Sequence, residues 1–549
     1  MLGKNRPDFW TITKVIIFLF IVVTIIYPLS IVLFRSFTDS SGNVTFRNFI
    51  KFFSTAYYRD VLRNSVFVSG VTTIICIFIG VSMAYMITRF DLKTKSLLNI
   101  LVILSMMSPP FIGAYAWIIL FGRAGFITKM ALELTGIAFP TIYGKWGIIS
   151  VFTFKMFPYV FLFTSGALSS IDSSLEEAAE NLGASHLHRL FTVTFPVVFP
   201  SIFAGAIMVF MSCISDFGTP MLIGQNYKVL ATLVYEQYMS EMGTSANFAS
   251  AVSMIIVIFC ALILSGQKAY LNRRNYSMTS MRPPKEIHLA PLKRIGVAAF
   301  LGIIILFAML PQIVVIVTSF KNCNGPYFIE GWGMKSYITI FTRMVRSIKN
   351  TYFYSFVAII IMISIGSLTA FVTVRRKSFL TAIMDVLLMF PYVIPGAVMA
   401  LGLIIGFNRP PLFLAGTAFI MILSFTVRKI PYTVRSGVGF LYQMEQNVEE
   451  ASVNMGVPPG LTFLKITLPL MLPGILSGAI LSWIETINEL SSSVMLYTGR
   501  TSTLAVAIFN EVARNSFGTA AAMATILTLT TVIMLIVFTR VSKGKVSIV

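Results

Sequence analysis

The chain of 549 residues is 56% hydrophobic and 11% charged, against roughly 45–50% and about 25% in ordinary globular proteins. A water-soluble fold of this length has no means of hiding so much apolar surface, so lipid must form part of its solvent. The net charge of +21 sits in basic residues at the ends of apolar runs, the bias of membrane proteins, which argues against nucleic acid as a partner.

The first apolar run, Val15 to Phe34, follows Lys4, Arg6 and Lys14 and lacks a small-residue cleavage site. It reads as a retained helix rather than a signal peptide. A bilayer core takes about 20 apolar residues per helix. On that measure, spans fall near 13–35, 62–88, 97–121, 146–168, 196–223 and 245–270. A second set falls near 293–319, 350–374, 378–407, 411–440, 469–497 and 515–539. The expected fold is therefore all-α and integral to the membrane, with twelve transmembrane helices as two parallel six-helix repeats. The first repeat covers 1–270, a basic cytoplasmic linker 271–292 and the second repeat 293–549. Pro109/Pro110, Pro391/Pro395 and Pro431 fall inside spans, where neighbouring helices or water must satisfy the freed carbonyls. Those spans are expected to line the interior.

Lys and Arg in short loops set orientation. Lys4, Arg6 and Lys14, then Arg89, Lys93 and Lys95, then Arg375, Arg376 and Lys377, then Arg540, Lys543 and Lys545 all fall on one side if the spans number twelve. That side is read as cytoplasmic, which puts both termini there. The long opposite loops 36–61 and 320–349 also carry Arg47, Lys51, Arg343 and Lys349, but long loops obey the rule less strictly. The linker holds Arg273, Arg274, Arg282, Lys285, Lys293 and Arg294, a topology signal more than a ligand site.

Internal repetition carries the most information. Leu175 to Gly183 matches Val448 to Gly456 at a constant offset of 273 residues. That offset holds back to Pro158-Tyr159 and Pro431-Tyr432, and forward to Pro196 and Pro469, Pro200 and Pro473, and Gly205 and Gly478. Upstream the offset becomes 286, pairing Asn64, Gly80, Ala84 and Arg89 with Asn350, Gly366, Ala370 and Arg375. The change reflects extra residues at 122–145 in the first half. An even number of spans per half makes the repeats parallel, with a pseudo-two-fold along the membrane normal and the functional site expected near the interface of the halves.

The repeated segment after the fourth span of each half reads as a cytoplasmic helix–turn–helix. Ser173 or Ser174 is a candidate cap, with Glu176 and Glu177 near the positive helix start. Ala178 and Ala179 keep the surface low for a close-packed partner. Gly183 and Gly456 suit a left-handed helix end, and Pro196 and Pro469 suit the start of the next span. A solvated helical loop would need only one copy; two copies at fixed spacing favour a function.

This pattern resembles the EAA loop of binding-protein-dependent ABC importer permeases, in which E-A-A is followed after three residues by G and after nine more by I-x-L-P. The first copy gives Glu177-Ala178-Ala179, Gly183, Val193, Phe195 and Pro196. The second gives Glu450-Ala451-Ser452, Gly456, Ile466, Leu468 and Pro469. Ser452, Val193 and Phe195 depart from it but keep size or apolar character. The resemblance covers the chain as a fusion of two MetI-like permease domains in a bacterial inner membrane. It implies that these loops are coupling helices for an ABC ATPase homodimer at the cytoplasmic face, and that a substrate-binding protein serves the outer face. The chain has no G-x-x-x-x-G-K-[ST] phosphate loop, so ATP hydrolysis is expected on a separate subunit.

Charges within a span are costly and usually functional. The fifth and eleventh expected spans carry Ser212, Ser215 and Asp216, and Glu485, Asn488 and Glu489, with Asp216 and Glu489 at equivalent positions. Ser212, Asp216, Glu485, Asn488 and Glu489 are candidates for the translocation path, either ringing an outer gate or paired with cations of neighbouring spans. Asp385, Lys155, Arg428, Lys429 and Arg435 are placed near cytoplasmic span ends, with their charges snorkelling to the interface. Cys76, Cys213 and Cys260 lie in apolar runs and Cys323 is alone in a polar loop, without metal-ligand or disulfide spacing; no metal or cofactor is expected. His186, His188 and His288 fall in cytoplasmic loops and receive no catalytic role. With no His in any span, an intramembrane hydrolase lacks its base. The run Asp216 to Gly224 resembles permeases of the ferric-iron group, which also carry phosphonates and phosphorylated sugars; thiamine permeases are fused too. Acidic residues suit Fe³⁺ or an amine. Ferric iron is the expected cargo, with 2-aminoethylphosphonate, a phosphorylated sugar, thiamine or a polyamine as alternatives. An ion-coupled secondary carrier is the competing class, but it has no ATPase to receive the two loops.

Overall fold

The computed structural model describes residues 9–39, 41–106, 110–123, 125–137, 141–239, 246–271, 287–325, 327–410 and 412–541. Most of the expected linker, Lys4, Arg6, Lys543, Lys545 and Pro109 lie outside these residues. The described chain is helical apart from two small antiparallel hairpins, Lys321–Asn324 with Tyr327–Trp332 and Asn408–Arg409 with Leu412–Phe413.

Among the described residues, ten helices are long and apolar enough to cross a membrane, running from Phe9–Ser36 to Phe517–Val537, and an eleventh results if one bent pair is a single span. Three expected spans are altered, and the last two account for the difference from twelve, since Gly113–Thr135 still counts as a span. The segment 97–121 divides into Lys95–Met106 and Pro110–Phe121. The segment 378–407 divides into Phe379–Tyr392 and Gly396–Gly406, set at 109° to each other. The cause is Pro395, which pushes the residue before it out of the helical region; Ile394 is extended at φ −77 and ψ 130. The third is Ala418–Gln443, a 26-residue helix that Arg428, Lys429 and Arg435 make too polar for an apolar span. Pro391 and Pro431 are buried, as interior spans require.

Small residues set how closely the helices of each half approach. A Cβ on Gly80 would lie 2.8 Å from Val160 Cβ, and one on Gly205 would lie 3.0 Å from Val160 Cα. In the second half, a Cβ on Gly366 would lie 3.0 Å from Thr433 Cγ2, and one on Gly478 would lie 2.9 Å from Thr433 Cα. The helices Lys145–Ser169 and Ala418–Gln443 are thus each gripped from two sides by glycines at matched positions. Such contacts drive packing where lipid removes the hydrophobic effect.

The halves are interlocked through their first helices. Trp10 stacks on Phe371 at 4.4 Å and meets Phe463 edge-on, and Tyr27 donates to Gly406 O at 3.0 Å. In the reverse direction, Phe307 of Pro291–Ser319 stacks with Phe154 and Trp117 of the first half. Each first helix therefore contributes to the other half's core.

Candidate functional site

The two repeated loops are built alike. In the first, Ser173–Asn181 is capped by Asp172, whose side chain accepts from Ser174 N at 2.9 Å. Asp172 takes the cap in place of Ser173 or Ser174 because its own backbone is extended, as a cap requires. The helix ends on Gly183 at φ +83, with Gly183 N donating to Glu180 O and Ala184 N to Ala179 O. In the second, Asn447–Asn454 ends on Gly456 at φ +87, with Gly456 N donating to Val453 O and Val457 N to Ser452 O. Both ends are Schellman turns.

The carboxylates that hold the loops precede those of the motif. Arg89, 3% exposed at its side chain, grips Glu176 with two bonds of 3.0 and 2.7 Å, and Thr194 adds a third at 2.7 Å. In the second loop Arg375 Nε donates to Glu449 at 3.2 Å and its Nη2 to Met444 O at 2.7 Å. Burial pushes the Glu449 carboxyl above the usual carboxylate range, with Arg375 pulling it back. These arginines close the second helix of each half, so each loop is clamped to that helix. Glu177 is half-buried, while Glu450 is exposed. Of the small residues, Ala178 and Ala451 face outward, while Ser452 is buried against Thr462 at 3.0 Å. His186 meets the Tyr85 hydroxyl at 3.1 Å beside the first loop. The apolar tips Leu182 and Met455, at equivalent positions, are 89% and 78% exposed, and Phe191 and Leu464 beside them are exposed too. Apolar groups so placed on paired tips suit a protein partner.

Each loop leads directly into a long helix. His186–Ser215 is 30 residues and Pro459–Ile487 is 29, about 45 Å of rod at ~1.5 Å per residue. The helices begin before Pro196 and Pro469 rather than at them. A wide π-type turn, Leu190–Thr194 and Phe463–Thr467, stands directly ahead of each proline, a form often found at functional positions.

At the far end of each rod lies a buried charge motif that repeats in full. Asp216 takes Lys155 Nζ at 2.8 Å on one oxygen and the Thr219 amide at 2.9 Å on the other. Glu489 takes Arg428, and also the Ser492 amide at 3.0 Å. All three members, Lys155/Arg428, Asp216/Glu489 and Thr219/Ser492, obey the same offset of 273. Each carboxylate thereby accepts an amide at the start of the short helix that follows, Gly218–Ile223 or Ser493–Leu496. The second half adds Lys429, 3.1 Å from Glu485 and 3.3 Å from Glu489. Lys155, Arg428 and Lys429 therefore do not snorkel from cytoplasmic ends. They sit well inside their helices, held by carboxylates that would otherwise be buried alone. Arg435 pairs with Asp385 at 3.1 Å. Asn488 is buried and bonds back to Ile484 O, and Ser212 is half-buried.

Among the described residues no group of three His, Cys, Asp or Glu side chains is arranged to hold a metal ion. The two matched halves, with their repeated loops and charge motif, are those of a multi-pass, double-length permease of the ABC import class. The sequence pattern of the binding-protein-dependent transport system inner membrane component matches residues 76–275 and again 362–546, and the chain belongs to that family. It is 26% identical to the ferric transport system permease protein FbpB of Actinobacillus pleuropneumoniae over 96% of this chain and 78% of that one. It is 27% identical to a putative ferric transport system permease protein of Haemophilus influenzae over 88% and 77%. A spermidine/putrescine transport system permease protein of the same organism is 30% identical, over 47% of this chain and 92% of its own. Among solved structures, a chain of a bacterial ABC transporter importing the acidic polysaccharide alginate is similar over 46% of this chain, at 17% identity and a TM-score of 0.41.

Proposed function

We propose that this permease carries ferric iron inward by alternating access, driven by a separate ATPase dimer seated on the two cytoplasmic loops and supplied by an outer binding protein. The observation that carries the cargo is the pair of ferric permeases matched over most of the chain; the relative named for polyamines matches about half. The matched loops, each clamped by a buried arginine and ending in an exposed apolar tip, support the ATPase seats. On this reading the chain crosses the membrane twelve times, with Ala418–Gln443 and the bent pair each counted as one span, and both termini are cytoplasmic. The repeats are 1–270 and 293–549, joined by the cytoplasmic linker 271–292. Closure of the ATPase dimer pushes each loop along its rod toward Asp216 or Glu489, so that the two halves tilt together about their interface. A polyamine is the second reading, favoured by the identity to the spermidine/putrescine permease.

Vesicles holding the chain with its ATPase and binding protein should accumulate radioactive ferric iron when ATP is supplied and not when it is withheld. ATP-driven uptake of another solute with no uptake of iron would remove the cargo assignment.

A further inference from the structure

The five candidate path residues separate into two groups in the structure. The Asp216 and Glu489 side chains are 7% and 5% exposed, paired and each bonded to a backbone amide, whereas the Glu485 side chain is 45% exposed. Three tyrosines lie within range of the Glu485 charge: Tyr159, Tyr392 and Tyr432. Tyr159 comes from the first half and the other two from the second. Tyr159 and Tyr432 are equivalent positions of the repeat. Tyr392 stands at the break between Phe379–Tyr392 and Gly396–Gly406, packs edge-on against Tyr432 at 5.6 Å and reaches across to Met208 Sδ of the first half at 3.5 Å. The broken helix that carries Tyr392 thus stands at the interface of the halves, and a Cβ on Gly396, just past its break, would lie 2.6 Å from the guanidinium of Arg428, the neighbour of Lys429. A discontinuous helix at a repeat interface is where transporters place their substrate contacts.

The one cation already touching Glu485 is Lys429, which is shared with Glu489. An ammonium group thus occupies the place a positive cargo would take, and it keeps a second carboxylate to move to.

We propose that Glu485, half-exposed and bonded to Lys429 beside the broken helix, is the station in the path for a cationic cargo, and that Lys429 is the counter-ion this cargo displaces onto Glu489. A carboxylate and phenol oxygens suit a hard metal cation, and the phenol rings suit an ammonium; the common requirement is positive charge. This rests on the importer reading but not on iron.

The test uses the full importer in vesicles, offered ferric iron, spermidine or molybdate with ATP. Glu485→Gln should lower uptake of the transported cation by about tenfold, the scale of one lost charge-assisted contact, while loaded binding protein still stimulates ATP hydrolysis. Glu485→Asp should recover most of the uptake, which separates loss of charge from loss of fold. Tyr392→Phe should raise the half-saturating cation level with the maximal rate kept. If wild type carries spermidine and not iron, and Glu485→Gln abolishes that, the station stands and the iron assignment falls. Uptake unchanged in Glu485→Gln, or a wild type that carries molybdate and neither cation, overturns the proposal.

Discussion

Replacing Gly183 and Gly456 together with valine should leave ATP hydrolysis running while uptake falls by an order of magnitude or more. Both glycines hold φ near +85 (+83 and +87) at the end of the first helix of a repeated loop. An L residue there costs roughly 1–2 kcal/mol, and a β-branched one is a true outlier. The penalty is purely one of backbone, because a Cβ at either position would meet nothing within 4 Å. A penalty of 1–2 kcal/mol shifts a two-state population by roughly 5–30-fold, enough to unfasten the turn that orients Leu182 or Met455 without unfolding the membrane helices. Asparagine, which tolerates the left-handed region, should restore uptake at both positions. Full transport in the double valine variant, measured as uptake per ATP hydrolysed, would show that the loops are not the coupling elements.

Lys155→Met should destabilise the protein more than Arg428→Met, although the two lysine and arginine positions are equivalent. Among the described residues Lys155 is the cation paired with Asp216, so its removal leaves a buried carboxylate uncompensated, a change worth about 3–5 kcal/mol. Arg428→Met leaves Glu489 with Lys429 at 3.3 Å, and the loss should be smaller by roughly half. Adding Asp216→Asn to Lys155→Met removes the lone charge and keeps an oxygen for the Thr219 amide, so stability should return in large part, a coupling that only directly interacting residues show. Melting of the purified protein in detergent decides it. Equal losses in the two single variants, or no recovery in the double, would contradict the pairing.

Much of this was legible because the repeat marks what the structure cannot vary. Gly80/Gly366 and Gly205/Gly478 matched in sequence because each lies where a Cβ would crowd the neighbouring helix. Arg89 and Arg375 matched because each clamps one of the repeated loops. The glycine turns followed from the motif itself. What escaped was tertiary pairing. Lys155 stands 61 residues from Asp216, and placement along a span does not reveal which charge on another helix it meets. A signal was present all the same: the cation recurs at the same offset as the carboxylate. The motif also drew attention to Glu177 and Glu450, while the anchoring falls to Glu176 and Glu449, since a helix turns by 100° per residue. The interlocking of the first helices left no trace, because Phe9–Ser36 and Pro291–Ser319 are apolar all round and fit either half equally well by composition. The broken helix at Pro395 was visible only as a proline in a span, without the angle.

The central claim is that the two loops are seats for a pair of ATPase subunits, and cross-linking addresses it most directly. Cysteine at Leu182 or at Met455, each largely exposed here, should form a cross-link to the co-purified ATPase at each position separately, with a yield that changes on adding ATP. Free labelling of both cysteines by a water-soluble maleimide in the assembled complex, with no cross-link at either tip, would contradict it.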